Sequence, residues 1–176
     1  MKFFEVLHAN AIAVEKEKGQ HVFRQGDDNK SLYFIQSGLL KAYYTTSEGK
    51  EAVKSFLSDN DFIGSLSAAY SQQSCTFSLI CLERTKLLQI SFNTILDYCQ
   101  KDHQFSVEII EFLLAFAMKK ERREYEFLCL DAQSRYRQII SDTPHLLERV
   151  TQNDLARYLG VTPVGLSRIK KRSMSG

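Results

Sequence analysis

The residues best placed to do chemistry stand at the C-terminal end of the chain. Residues 149–176 carry six basic side chains against one acidic, whereas residues 1–148 carry 17 against 20. A basic block at one end of a near-neutral chain suits a polyanion met by that end. Within it, Gln152, Arg157, Ser167, Arg168, Lys170, Lys171 and Arg172 all offer hydrogen-bond donors. A guanidinium fork matches the edge of a guanine, and ammonium groups match phosphates. No Ser/His/Asp arrangement, Gly-rich phosphate loop or metal-ligand spacing accompanies them, so an enzyme is not expected.

Two short helices would position these donors. Thr151 is placed to cap the first, whose Leu155, Ala156 and Leu159 share an apolar face, with Asp154 near its positive end. Gly160 follows where a tight turn needs a positive φ. Thr162 and Pro163 then open the second helix with a capping hydroxyl and a residue suited to the first helical position. Leu166 and Ile169 turn inward, which leaves Pro163, Val164, Ser167, Arg168, Lys171 and Arg172 outward. This is a helix-turn-helix pattern, whose second helix fits the major groove of double-stranded DNA. Arg168 is expected to pair with a base, Ser167 to serve a base or phosphate, and Lys170, Lys171 and Arg172 to meet phosphates. Gln152 and Arg157 are backbone-contact candidates; Thr151, Thr162, Pro163 and Val164 complete the interface.

The preceding chain has two textures. From about Ile12 to Ile90, short runs rich in β-branched and aromatic residues alternate with turn signals such as Gln25-Gly26-Asp27, Ser37-Gly38 and Asp59-Asn60-Asp61. They predict a β-roll or barrel with a hairpin tip at Glu48-Gly49. From Ser91 the period becomes helical: a short helix that Ser91 would cap, then a long one from near His103 to Leu130. Phe105, Ile109, Phe112 and Phe116 form one apolar stripe on it, and Ile110, Leu113, Leu114 and Ala117 a second. The roll can cover one stripe and a second copy of the helix the other, making a homodimer; burial within a monomer is the alternative. Asp131 would cap a further helix that Asp142-Thr143-Pro144 ends. The expected division is a β-roll domain over 1–102, a dimerisation helix over 103–130 and a helix-turn-helix domain over 131–176.

Cys75, Cys81, Cys99 and Cys129 are widely spaced and read as buried free thiols, and the four histidines are scattered, so no metal site is expected. No run approaches the roughly 18 apolar residues of a membrane span, and no signal peptide is visible; the reading is cytoplasmic, with no membrane partner.

KGQHVFRQGDDNKSLYFIQSGLLKAYYTTSEGKEAVKSFLSDNDFIGS resembles the β-roll of the Crp/Fnr family of bacterial transcription regulators, and TQNDLARYLGVTPVGLSRIKKR resembles their DNA-binding helix pair. The resemblance implies an α+β fold: a jelly-roll-like sensor, a long dimerisation helix and a winged-helix-like reader. It implies double-stranded DNA, a second copy and RNA polymerase as partners. Two departures stand out. Members that bind cyclic AMP carry Phe-Gly-Glu-Leu and, further on, Arg-Ser or Arg-Thr; here Phe62 is followed by Ile63-Gly64-Ser65-Leu66, and the downstream pair is Cys75-Thr76. Both charged groups are missing, and Lys120 and Glu121 stand where small hydroxyl residues meet the purine. A cofactor is therefore not expected, cyclic AMP included. The clustered cysteines of the iron–sulfur branch and the ligating histidine of the haem branch are absent too. In the reader, Pro163-Val164 replaces an Arg-Glu pair, and the sequence ends four residues after Arg172, so the wing is expected to be short or absent, or the sequence is a shortened one. These departures keep open an alternative, a small-molecule sensor that acts through a protein partner.

Overall fold

A computed structural model describes residues 2–174. Helix α1 (Phe3–Asn10) leads into the strands β1 (Ile12–Lys16), β2 (His21–Phe23), β3 (Ser31–Ser37), β4 (Leu40–Thr45), β5 (Glu51–Leu57) and β6 (Phe62–Ile63). A short α2 (Leu66–Ala69) precedes β7 (Ser78–Cys81) and β8 (Thr85–Ser91), and helices follow: α3 (Phe92–Lys101), α4 (His103–Cys129), α5 (Ala132–Asp142), α6 (Leu146–Arg149), α7 (Gln152–Leu159) and α8 (Pro163–Met174).

The strands form two antiparallel sheets, ordered β1-β8-β3-β6 and β2-β7-β4-β5. Period-two alternation decides which side chains fill the space between them. Tyr33 and Ile35 of β3 and Leu87 of β8 meet Leu40, Ala42 and Leu79 of the facing sheet, while Leu32, Phe34, Leu88 and Ile90 point the other way, beneath α1, α3 and α4. The β4–β5 hairpin closes at Gly49, as the sequence predicts, with the Thr46 amide bonded to the Lys50 carbonyl. Farther along, a bulge sets Ala42 against Ser55 and Tyr43 against Val53, so Lys54 is the residue without a strand partner. A bulge re-aims the side chain it leaves over; that of Lys54 reaches the face of the Phe77 ring, 4.6 Å from its centroid.

Side-chain caps account for several helix limits. Asp131 accepts from the Ser134 amide at 2.7 Å, and Thr143 ends α5. Asp102 opens α4 by accepting from the Phe105 amide. Ser91 occupies the cap position of α3, but its hydroxyl makes no capping bond. On α4, Phe105 is fully buried and Ile109 packs in the same cluster, while Phe112 stacks against Phe3 and meets Phe62 edge-on. The second stripe stays open: Ile110, Leu113, Leu114 and Ala117 are exposed. Of the thiols, Cys75 and Cys81 are buried, but Cys99 is half-buried and Cys129 exposed, contrary to the expectation of four buried ones. Among the described residues, no helix is long and apolar enough to cross a membrane.

Candidate nucleic-acid interface and sensor cavity

Helices α7 and α8 are joined by the predicted turn. The Thr151 hydroxyl accepts from the Asp154 amide, the Thr162 hydroxyl from the Gly165 amide, each at 3.1 Å, and Gly160 sits between them at φ +69°. Leu155, Ala156, Leu159 and Leu166 are buried together, with Ile169 packed at their edge. Pro163, Val164, Ser167, Arg168, Lys171 and Arg172 lie exposed on the opposite side, Gln152 is exposed at the start of α7, and Lys170 is half-buried.

The helix pair is also fastened to the roll, which the sequence does not reveal. Leu39 belongs to the core of the C-terminal helices, and Phe56 of β5 meets the Tyr158 ring. Lys41 on β4 bonds Asp154 of α7 at 2.8 Å and Glu51 of β5 at 3.0 Å. Burial opposes the charged form of both Lys41 and Asp154; the hydrogen bonds between them, with those of Glu51 and Thr151, outweigh it, so the lysine pKa is raised and the aspartate pKa lowered. Arg157, assigned by sequence to the DNA backbone, is held by Glu51 at 2.7 Å, and Arg149 pairs with Glu83 through two bonds. Two basic residues of the C-terminal block are thus matched inside the chain, leaving the basic character of the outer face to α8.

The residues expected to form a ligand pocket divide between places. A cavity of about 480 Å³ opens between α2, α3 and α4, lined by Phe62, Ile63, Gly64 and Leu66 against Ile109, Phe112, Leu113 and Phe116, and no charged side chain lines it. Gly64 is needed for strand packing: a Cβ there would lie 2.4 Å from Leu32 Cδ2 and 2.8 Å from the Ser31 carbonyl. Ser65 is buried and its hydroxyl has no hydrogen-bond partner. Cys75 is buried and Thr76 exposed, both outside the cavity. Lys120 lines a different cavity, described below, and Glu121 is exposed. Arg84, the nearest downstream arginine, is exposed and paired with Glu15 at 2.9 Å. A phosphate against Gly64 would meet no cation among these residues, so they do not fit a cyclic nucleotide held as the resemblance describes. No three His, Cys, Asp or Glu side chains among the described residues converge on a metal position. His21 instead meets the Tyr43 hydroxyl at 2.9 Å.

Residues 13–102, more than half of the chain, match the cyclic nucleotide-binding domain, and the chain belongs to that family. The match to curated proteins continues into the C-terminal helices. The fumarate and nitrate reduction regulatory protein of Yersinia pestis is 28% identical over 89% of this chain, and that of Escherichia coli (strain K12) 26% identical over the same share. The chain spans 66% of the length of these relatives. Two solved structures share the fold: the c-di-GMP responsive global regulator CLP of Xanthomonas campestris, at TM-score 0.75 and 19% identity, and FixK2 of Bradyrhizobium japonicum, at 0.76 and 15%. The first covers 98% of this chain and 90% of its own, the second 94% and 85%.

Proposed function

We propose that this protein is a homodimeric, DNA-binding transcription regulator of the Crp/Fnr type whose sensor does not use cyclic AMP. The observation that carries the reading is the outer face of α8, where Ser167, Arg168, Lys171 and Arg172 are exposed while Leu166 is buried beneath them. A helix supported from behind and basic in front suits the major groove, with Arg168 the base reader. Residues 1–102 then serve as sensor, 103–130 as dimer helix and 131–176 as reader, and RNA polymerase is a further expected partner.

The open stripe of α4 supports the dimer. Val107, Ile110, Leu114 and Ala117 follow three- and four-residue steps along one side, Leu128 lies on the same side three turns further on, and all are exposed. A second copy of the same helix covers such a row most simply. The uncharged lining of the large cavity supports an effector other than cyclic AMP.

A gel mobility shift tests the reading, using promoter DNA with half-sites roughly 34 Å apart. Binding should weaken steeply with added salt, and Arg168→Ala should relax discrimination at one base pair by about 1–3 kcal/mol. Absence of binding at low salt, with no change in transcripts of an Arg168→Ala strain, overturns it. Calorimetry with cyclic AMP and cyclic GMP tests the sensor; micromolar affinity for either would refute that part.

A further inference from the structure

A second cavity, about 230 Å³, lies where β5, α4, α5 and α7 meet, between the roll and the C-terminal helices. Its lining is strongly basic, and most of its cations have partners. Lys119 bonds Asp61 at 3.0 Å, Arg122 bonds Glu126 and Asp142, and Arg123 donates to the Tyr158 carbonyl and lies 3.9 Å above the Tyr158 ring.

Two buried donors remain unsatisfied, beside two lysines that no described carboxylate pairs with. Lys54 and Lys120, brought together from β5 and α4, hydrogen-bond each other but form no ion pair with any described carboxylate; each also rests on a phenylalanine ring, Phe77 at 4.6 Å and Phe116 at 4.9 Å. Ser55 Oγ and Arg135 Nε are buried with no hydrogen-bond partner. All four residues line this one cavity. Two adjacent ammonium groups repel, and a buried donor without a partner costs roughly 1–3 kcal/mol. An anion between them removes both penalties at once. The strand bulge is what turns Lys54 toward this point. Burial, and then the neighbouring Lys120 charge, bring the Lys54 pKa down to about 7, so its proton is the one an anion would secure.

We propose that this junction cavity binds a small multivalent anion, inorganic phosphate or a phosphate monoester, held by Lys54, Lys120, Ser55 and Arg135. Its volume is below the roughly 300–1,000 Å³ of drug-sized ligand sites, which favours a phosphate with few further atoms. The site is separate from the apolar cavity and from α8, and it stands or falls independently of DNA binding. Because Arg135 also donates to the Leu159 carbonyl at 2.8 Å, an occupant would be joined through one side chain to the end of α7.

Titration calorimetry and thermal shift on the full chain at about pH 7 test it, with sodium phosphate and glycerol 3-phosphate as probes and sodium chloride at matched ionic strength as control. The expected result is one site per chain and a melting temperature raised by the phosphates alone. Preference for either probe identifies free phosphate or an ester as the occupant. Lys54→Met with Lys120→Met should weaken binding at least about tenfold, each step of ten being about 1.4 kcal/mol, while Lys54→Arg retains it. Chloride reproducing the shift, silence of both probes on the wild type, or undiminished binding by the double variant overturns the proposal.

Discussion

Asp154→Asn isolates what fastens the reader helices to the roll. The carboxylate is buried against Lys41 at 2.8 Å, across 113 residues of chain. Breaking a buried pair by neutralising one partner typically costs about 3–5 kcal/mol. Lys41 keeps Glu51 at 3.0 Å, and the amide left at position 154 retains an oxygen, so the expected loss is smaller, about 2–3 kcal/mol. For a chain of this length that lowers Tm by roughly 4–12 °C. The sign with pH follows from the shifts. The lowered Asp154 pKa contributes stability above the usual aspartate value that is lost as pH falls through its folded value; the raised Lys41 pKa contributes below the usual lysine value and is lost as pH rises through its folded value. The gap between wild type and variant should therefore be flat from about pH 5 to 9 and close in acid. Calorimetric melts measure it, and amide exchange should speed up in α7 and the facing β5. Lys41→Met with Asp154→Leu should recover most of the loss, since a well-packed apolar pair replaces an ionic one with little penalty. A Tm within about 1 °C of wild type, with exchange unchanged, would refute the reasoning.

Gly38→Ala should destabilise by more than about 2 kcal/mol, because φ is +120° and the new Cβ would lie 2.5 Å from Thr85 Oγ1 and 2.9 Å from Thr85 Cα; denaturant melts measure this. In phosphate-free buffer, wild-type Tm should climb from about pH 6.5 to 9, because Lys54 titrates near 7 when folded and at about 10.4 when unfolded, so the unfolded chain binds more protons in that window. Lys120 faces Lys54 from α4, with Lys119 and Asp61 near it; Lys54→Met should raise Tm at the acid end of this window and flatten the climb. Ile110→Glu with Leu114→Glu should leave the chain folded, since both side chains are exposed, and convert it to a monomer in analytical ultracentrifugation. A dimer persisting in that variant refutes the role given to the α4 stripe.

The helix pair was legible because its determinants are local. Thr151, Gly160 and Thr162 act within three or four residues of their partners, and the periodic placement of Leu155, Leu159 and Leu166 suffices to separate inner from outer face. The strands and the long helix were legible from their periods for the same reason. What escaped depends on contacts distant in sequence. Asp154 reads as a charge near a helix end, yet its main partner is Lys41; Arg157 reads as a phosphate contact, yet Glu51 holds it. Lys120 marks a departure from a purine site, and only the fold sets it beside Lys54 in a cavity of its own. Ser91 failed as a cap in a subtler way: its position is right, but its hydroxyl makes no capping bond.

Gly160 lets the chain turn between α7 and α8. A Cβ added there would also come within 3.0–3.1 Å of two ring carbons of Phe127, near the end of α4. The same ring lies beneath the guanidinium groups of Arg123 and Arg135. The tip of the long helix therefore bears directly on the pivot of the helix pair, with no side chain between to cushion it. Interiors packed this closely transmit displacement. A roll of α4 about its own axis would arrive at the turn as a push on backbone, and the smallest residue in the chain sets how little of that movement is absorbed.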